Sequence, residues 1–430
     1  MAICIGIRRE DKNEWERRTP LTPQSVRQLV ARGYRFIVQP QPNRAFDDDE
    51  FRAAGAVVDD DLSPCDFIMA VKEVPAHRVL PEKTYLFFSH TNKGQPQNMA
   101  MLKRLLELGC TLVDYEFIID ETGKRLVFFG HYAGIAGMVE TLCALGRRLM
   151  AENLWTPFAE IEQPYRYASI DAIKQHLRRI GELIRKRGLP PQLRPLICGF
   201  AGYGNVSRGA QEMFDLLPVD EVAPEQLSQQ PPGDGRLLYK TVFHERHTLQ
   251  PIDDRTFDLT DYRKNPQHYR SAFARYLPHL TLLVNGVYWD DRYPRLLTKI
   301  DLKRHWPNTP LRVIGDISCD VEGAIEMTAR TTTPSAPYFV YDPLRDCVDG
   351  DARAPGVAIM AVDNLPGEVA REASEAFSNA LAPWLPTLLK ANLTGDWPSC
   401  NLPPALKHAV IAFHGRLTPN FAYLQKYLSA

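Results

Sequence analysis

The stretch from Arg194 to Leu217, RPLICGFAGYGNVSRGAQEMFDLL, constrains the fold more than any other part of the chain. An apolar run, Pro195 to Cys198, leads into a turn at Gly199, Gly202 and Gly204. From Val206 an amphipathic pattern puts Ala210, Met213, Phe214 and Leu217 on one face. Strand, glycine turn and helix in this order open a dinucleotide-binding unit. Gly202 permits the tight turn, and Gly204 lets the backbone approach a pyrophosphate at the positive end of the helix. Ser207 stands where a third glycine is usual and is small enough for close packing. Gly202, Tyr203, Gly204, Asn205, Val206 and Ser207 are therefore the expected cofactor turn. Glycine turns between a strand and a helix often bind nothing; here the flanking patterns favour a nucleotide.

The remainder alternates strand and helix, the mark of a parallel α/β sheet. Strands are predicted at Ile3–Ile7, Tyr34–Gln39, Phe67–Val71, Thr84–Ser89 and Thr111–Val113. Helices are predicted from Thr22 or Pro23, over Met99–Leu108, and in two long runs after Phe128 and Ser169. After the glycine turn, Val219–Val222, Leu237–Phe243, Leu280–Val284 and Leu311–Gly315 read as buried strands. Tyr338–Gly356 reads as irregular, and the tail as helical with no strands of its own. The expected fold is two Rossmann-like, doubly wound parallel-sheet domains with a cleft between them. Residues 1–135 would form the substrate domain and 136–345 the nucleotide domain. Residues 346–430 would pack back on the first, with closure of the two domains on binding.

Composition excludes several classes. A formal net charge of -1 gives no electrostatic reason to expect nucleic acid or an anionic membrane as partner. No apolar run approaches the ~20 residues of a membrane span. The opening MAICIGIRRE lacks a signal-peptide layout. The eight cysteines include no C-x-x-C pair, which suits a reducing cytoplasm and argues against zinc. His244 and His247 in HERH have metal-like spacing but lie on or just past a strand, where i and i+3 face opposite sides, so no metal is expected.

In open α/β sheets ligands bind beyond the carboxyl ends of the strands. Lys72 and Glu73 end one predicted strand, His90 the next, and Glu116 follows a third. Arg17 and Arg18 lie in the loop after the first strand; Asn285 and Asp316 end two strands of the second sheet. Each has a bland reading as a solvated or structural residue. Together, an amine, an imidazole and carboxylates beside a nucleotide suit proton transfer, and arginine suits a substrate carboxylate.

ERRTPLTP (Glu16–Pro23), AVKEVP (Ala70–Pro75), FFSHTNKGQ (Phe87–Gln95), DYE (Asp114–Glu116), FGHYAGIAGM (Phe129–Met138), GYGNVSRGAQ (Gly202–Gln211), NGVYW (Asn285–Trp289), GDISCD (Gly315–Asp320) and VDNLP (Val362–Pro366) follow one another in this order. The set resembles the lysine-forming saccharopine dehydrogenases and the lysine–2-oxoglutarate reductase half of aminoadipic semialdehyde synthase. The wider superfamily includes alanine dehydrogenase and transhydrogenase. The resemblance implies an NAD(P)-dependent enzyme acting on lysine, 2-oxoglutarate and saccharopine. It implies an acid–base pair in Lys72 and His90, tuning carboxylates in Glu73 and Glu116, and a carboxylate clamp in Arg18 with Arg17 beside it. Asn285 would contact substrate and cofactor, and Asp316 would lie beside the nicotinamide. Glu73 follows the stand-alone dehydrogenases, where the reductase half more often has a basic residue. The saccharopine-splitting enzyme of the bifunctional protein is expected to be absent.

Cofactor preference divides two arguments. About 20 positions after the first glycine, Asp220, Glu221 and Glu225 offer a carboxylate for the ribose of NAD(H). Arg208 offers a partner for a 2′-phosphate, and the GYGNVSRGAQ turn resembles the NADPH-using reductases. NADP(H) is the favoured expectation and NAD(H) the alternative. Oligomeric state is not legible.

Overall fold

The computed structural model describes residues 2–229, 233–253, 255–393 and 395–428. The chain divides into two units, Met1–Phe129 with Ala370–Ala430, and Gly130–Val369.

The first unit carries β1 (Cys4–Ile7), β2 (Arg35–Val38), β3 (Val57–Val58), β4 (Phe67–Met69), β5 (Thr84–Phe87) and β6 (Thr111–Asp114). They pair in parallel in the order β6-β5-β4-β1-β2-β3. β1, β4 and β6 are buried along their whole length, as strands of a parallel sheet covered on both faces are. Helix α1 (Pro23–Val30) starts where the Thr22 hydroxyl accepts the Ser25 N–H, with proline in its first turn. Helix α2 (Pro96–Glu107) covers another part of the sheet.

The tail departs from the helical expectation. Val410–Phe413 pairs antiparallel with β6, and Arg416–Leu417 extends the edge. VIAF is a four-residue, fully buried run, too short for periodicity to separate it from a helix. The helix Ala370–Leu381 also returns to this unit. Its Ser374 and Ser378 hydroxyls accept the backbone N–H groups of Thr19 and Thr22 at 3.0 and 3.1 Å. The ERRTPLTP loop is thereby held from the other end of the sequence.

The second unit begins with α3 (Gly130–Ala151) and α4 (Ile170–Arg187). β7 (Ile197–Ala201), α5 (Asn205–Phe214), β8 (Val219–Glu221) and β9 (Leu238–Phe243) follow. The sheet is completed by β10 (Leu282–Asn285), β11 (Val313–Asp316), β12 (Tyr338–Asp342), β13 (Cys347–Asp349) and β14 (Val357–Met360). Their order is β13-β12-β14-β11-β10-β7-β9-β8, with β12 antiparallel to both its neighbours, β13 and β14, and the other pairs parallel. Three expectations change here. Tyr338–Gly356 is not irregular: it supplies β12 and β13. β14 pairs with β11, so residues 346–369 belong to this unit rather than to the first. β8 is not buried, because it lies at the sheet edge with Asp220 and Glu221 exposed.

Helices α3 and α5 meet through glycine. A Cβ on Gly134 would stand 1.9 Å from the Val206 carbonyl oxygen, and one on Gly209 would stand 2.1 Å from that of His131. The FGHYAGIAGM motif is thus a seat for the helix that follows the glycine turn. None of the described helices is long and apolar enough to cross a membrane.

Candidate active site

Parallel pairing aligns the carboxyl ends of the first unit's strands. Ile7 lies opposite Met69, Met69 opposite Leu86, and Phe87 opposite Asp114. The loops that follow carry the ionisable groups.

Lys72 and Glu73 leave β4 on a segment fixed by a residue that the strand-end reading missed. Glu10 is buried, and its two carboxyl oxygens accept the N–H groups of Val71 at 2.5 Å and Lys72 at 3.0 Å. Burial and the neighbouring Glu16 charge push the Glu10 carboxyl up to about 7, against those hydrogen bonds. The Lys72 ammonium is held below its usual basicity, first by burial and then by the charge of Arg18, with Glu16 pulling the other way. Arg18 grips Glu16 through Nε at 2.8 Å and Nη2 at 2.5 Å, and its guanidinium lies 4.3 Å from the Phe129 ring centroid. Burial raises the Glu16 carboxyl, but the Arg18 fork outweighs it and the net shift is downward.

His90 faces Glu73: Nδ1 lies 2.7 Å from Oε1. A neutral ring that donates there leaves Nε2 as the acceptor. Burial raises the Glu73 carboxyl, yet the histidine contact and Lys12, 3.2 Å away, bring it down to about 2. Asn98 Nδ2 donates to the His90 carbonyl at 2.9 Å. Asp114 holds the same loop by accepting the Ser89 N–H at 3.0 Å and its hydroxyl at 2.5 Å. A cavity of about 360 Å³ adjoins this group, lined by Asp11, Lys12, Glu73 and Asn98 among others.

Two predicted site residues fall elsewhere. Glu116 pairs with Arg125 rather than with the lysine–histidine pair. Arg17 donates to the Asn43 carbonyl at 3.2 Å. In the DYE motif it is Asp114 that reaches the histidine loop.

In the second unit, Gly202 (φ 91°) turns the chain out of β7, and its N–H donates to the Phe243 carbonyl at 3.2 Å. Gly204 faces open space: a Cβ there would meet no atom within 4 Å. Asn205, Val206 and the buried Ser207 follow as the first turn of α5. The turn borders a cavity of about 470 Å³ whose lining includes Gly202, Tyr203, Gly204, His244, Glu245 and Arg263. A backbone turn opening on space at the start of a ten-residue helix fits a pyrophosphate.

Asn285 and Asp316 are buried and absent from that lining. Asn285 Nδ2 donates to Asp316 Oδ1 at 2.8 Å, and the Thr328 hydroxyl donates to Oδ2 at 2.5 Å. Burial pushes the Asp316 carboxyl up to about 6. Together they tie β10 to β11, and neither lines the cavity. Glu225 is exposed on the segment after β8, its carboxylate 3.2 Å from His247 Nε2. Arg208 donates to the Asn205 side chain within α5.

HERH lies just past β9, where His244 caps the short helix Glu245–Thr248. The His244 N–H donates to His247 Nδ1 at 3.0 Å. Among the described residues no group of His, Cys, Asp and Glu is arranged to hold a metal.

Two family models match parts of this chain. Residues 6–136 match the family model "Alanine dehydrogenase/PNT, N-terminal domain", and residues 263–420 match "Alanine dehydrogenase/PNT, C-terminal domain". The chain is 36% identical over 439 residues to the mitochondrial alpha-aminoadipic semialdehyde synthase of Rattus norvegicus, covering 98% of this chain and 47% of that protein. It therefore spans about half the length of that relative. It is 27% identical over 411 residues to the saccharopine dehydrogenase (NAD+, L-lysine-forming) of Neurospora crassa, covering 92% of this chain and 93% of that one. Among solved structures, an L-alanine dehydrogenase shares the fold with a TM-score of 0.64 at 19% identity, over 99% of each chain.

Proposed function

The chain belongs to the alanine dehydrogenase/PNT family, and from that premise we propose that it is an oxidoreductase of lysine metabolism. In this reading it condenses L-lysine with 2-oxoglutarate and reduces the imine to saccharopine. The ε-amine attacks the oxo carbon, water leaves, and the imine carbon receives a hydride. A bound nicotinamide cofactor supplies that hydride.

The observation that carries the reading is Lys72, a largely buried amine held below its usual basicity beside Arg18. Condensation and imine reduction both move protons at neutral pH, and a lysine of lowered pKa can give and take them. His90, with Nδ1 on Glu73, presents Nε2 as the second proton-transfer atom. Glu10 fixes the backbone under Lys72. Arg18, steadied by Glu16, is the clamp for a substrate carboxylate. Gly202, Tyr203 and Gly204, with the first turn of α5, would hold the pyrophosphate. Likeness of the glycine turn to the lysine-degrading reductases favours NADPH; the carboxylate of Glu245 at the same cavity favours NADH.

The test is oxidation of NADH or NADPH by the purified protein with lysine plus 2-oxoglutarate, against each substrate alone and against ammonia with pyruvate. Oxidation requiring both substrates is the expected result. Oxidation with ammonia and pyruvate alone would make this an alanine-type enzyme. None with any pair would remove the assignment.

A further inference from the structure

The sheet order of the second unit moves the nucleotide-reading position to a part of the chain that spacing does not reach. In the usual unit, the strand that follows the glycine helix pairs with the strand that precedes it. Here the strand that follows, β8, pairs only with β9. β9 takes the place beside β7, in register from Ile197 opposite Tyr239 to Ala201 opposite Phe243. On its other side β7 pairs with β10, so the chain reverses direction across the sheet at β7. That reversal point is where such sheets bind ligands.

The consequences at the strand ends are specific. Gly202 and His244 leave adjacent strands side by side. The Tyr203 ring stacks on His244, centroids 4.3 Å apart. The Tyr203 hydroxyl lies 3.2 Å from both carboxyl oxygens of Glu245. Glu245 lines the cavity at the glycine turn; Glu225 does not, and its carboxylate is turned to His247. A carboxylate has about four acceptor sites, and one phenol uses only one of them.

We propose that Glu245, placed by the end of β9 and by Tyr203, accepts the adenosine ribose 2′-hydroxyl, and that it makes NAD(H) the preferred cofactor over NADP(H). A 2′-phosphate would meet this carboxylate at close range, whereas a hydroxyl donates to it. Among the described residues that line the same cavity, Arg263 is the one Lys or Arg, and it works in the opposite direction. This inference rests on the nucleotide-binding reading of the cavity.

The test is fluorescence titration of the full chain with NADH and with NADPH, without substrates, for wild type, Glu245→Gln and Glu225→Gln. Glu245 is half-buried on a four-residue helical turn, so the amide isostere should fold; circular dichroism checks this. Expected is roughly tenfold tighter binding of NADH than of NADPH by wild type, the size of one charge-assisted contact. Glu245→Gln should erase that difference from both sides, weakening NADH and strengthening NADPH, and Glu225→Gln should leave it unchanged. Tighter NADPH binding by wild type would overturn the proposal, as would a preference that moves with Glu225 and not with Glu245. Failure of wild type to bind either nucleotide would remove the underlying reading instead.

Discussion

His90 Nδ1 lies 2.7 Å from Glu73 Oε1, and His90 makes this contact from a left-handed backbone, φ 46°. That conformation costs a non-glycine residue about 1 kcal/mol or more and persists because its surroundings impose it. Asn98 and Asp114, gripping the loop on either side, impose it here. His90→Gln and Lys72→Met are each expected to lower turnover by roughly 10² or more, the scale of an acid–base group. Nucleotide titration and circular dichroism should be unchanged. Wild-type turnover in both variants would remove them from the chemistry.

Arg18 and Glu16 form a buried pair, and this alters what its mutation reports. Arg18→Ala leaves Glu16 as an uncompensated buried charge, for which the usual loss is about 3–5 kcal/mol. The expected result in urea unfolding is a midpoint well below wild type. Arg18→Lys should keep most of the stability yet raise the KM for the oxo acid, since a point charge replaces a bidentate fork. Full stability of Arg18→Ala would show that the pair is not structural.

Gly134→Ala tests the helix seat. The added methyl would lie 1.9 Å from the Val206 carbonyl oxygen, so α3 and α5 must separate. Overpacking of this kind costs about 1–3 kcal/mol. Because α5 begins at the glycine turn, weaker nucleotide binding should accompany a lower Tm. The same substitution at Gly204, which faces open space, should leave Tm nearly unaltered.

Glu140 and Glu368 face each other in the interior of the second unit, and burial raises both carboxyls, Glu368 most strongly. One of them must carry a proton to donate to the other; Gln163 Nε2 donates to Glu140 at 2.9 Å. Raised folded-state pKa values mean that stability is fullest below the ordinary carboxylate range and falls as pH rises through the folded values. Glu368→Gln keeps a donor without a titrating proton. Its melting temperature should approach or exceed wild type at pH ~8.5, with a smaller gain at pH ~5. A larger gain at the acid end would reverse the assignment.

Much of the fold was legible because parallel strands buried on both faces leave continuous apolar runs, as at Phe67–Met69. Lys72, Glu73 and His90 are legible as candidates because strand ends mark the ligand edge. Glu10 is not, since its partners are backbone N–H groups 61 and 62 positions away, a contact without a local pattern. Counting along the chain reaches Glu225 and not Glu245, because it assumes that the next strand is the next neighbour in space. The sheet pairings decide that, and the Tyr203–Glu245 contact spans 42 positions.

If β8 were cut away, β7, α5 and β9 would remain as an ordinary crossover between adjacent parallel strands. The segment that carries β8 is therefore an addition at the edge of a complete unit. Its strand is three residues long and carries two exposed acids outward, features that keep a free sheet edge from recruiting another chain. A change of length confined to β8 should leave the pairing of β7 with β9 beside the glycine turn intact. Length variation in relatives that share this architecture should concentrate there.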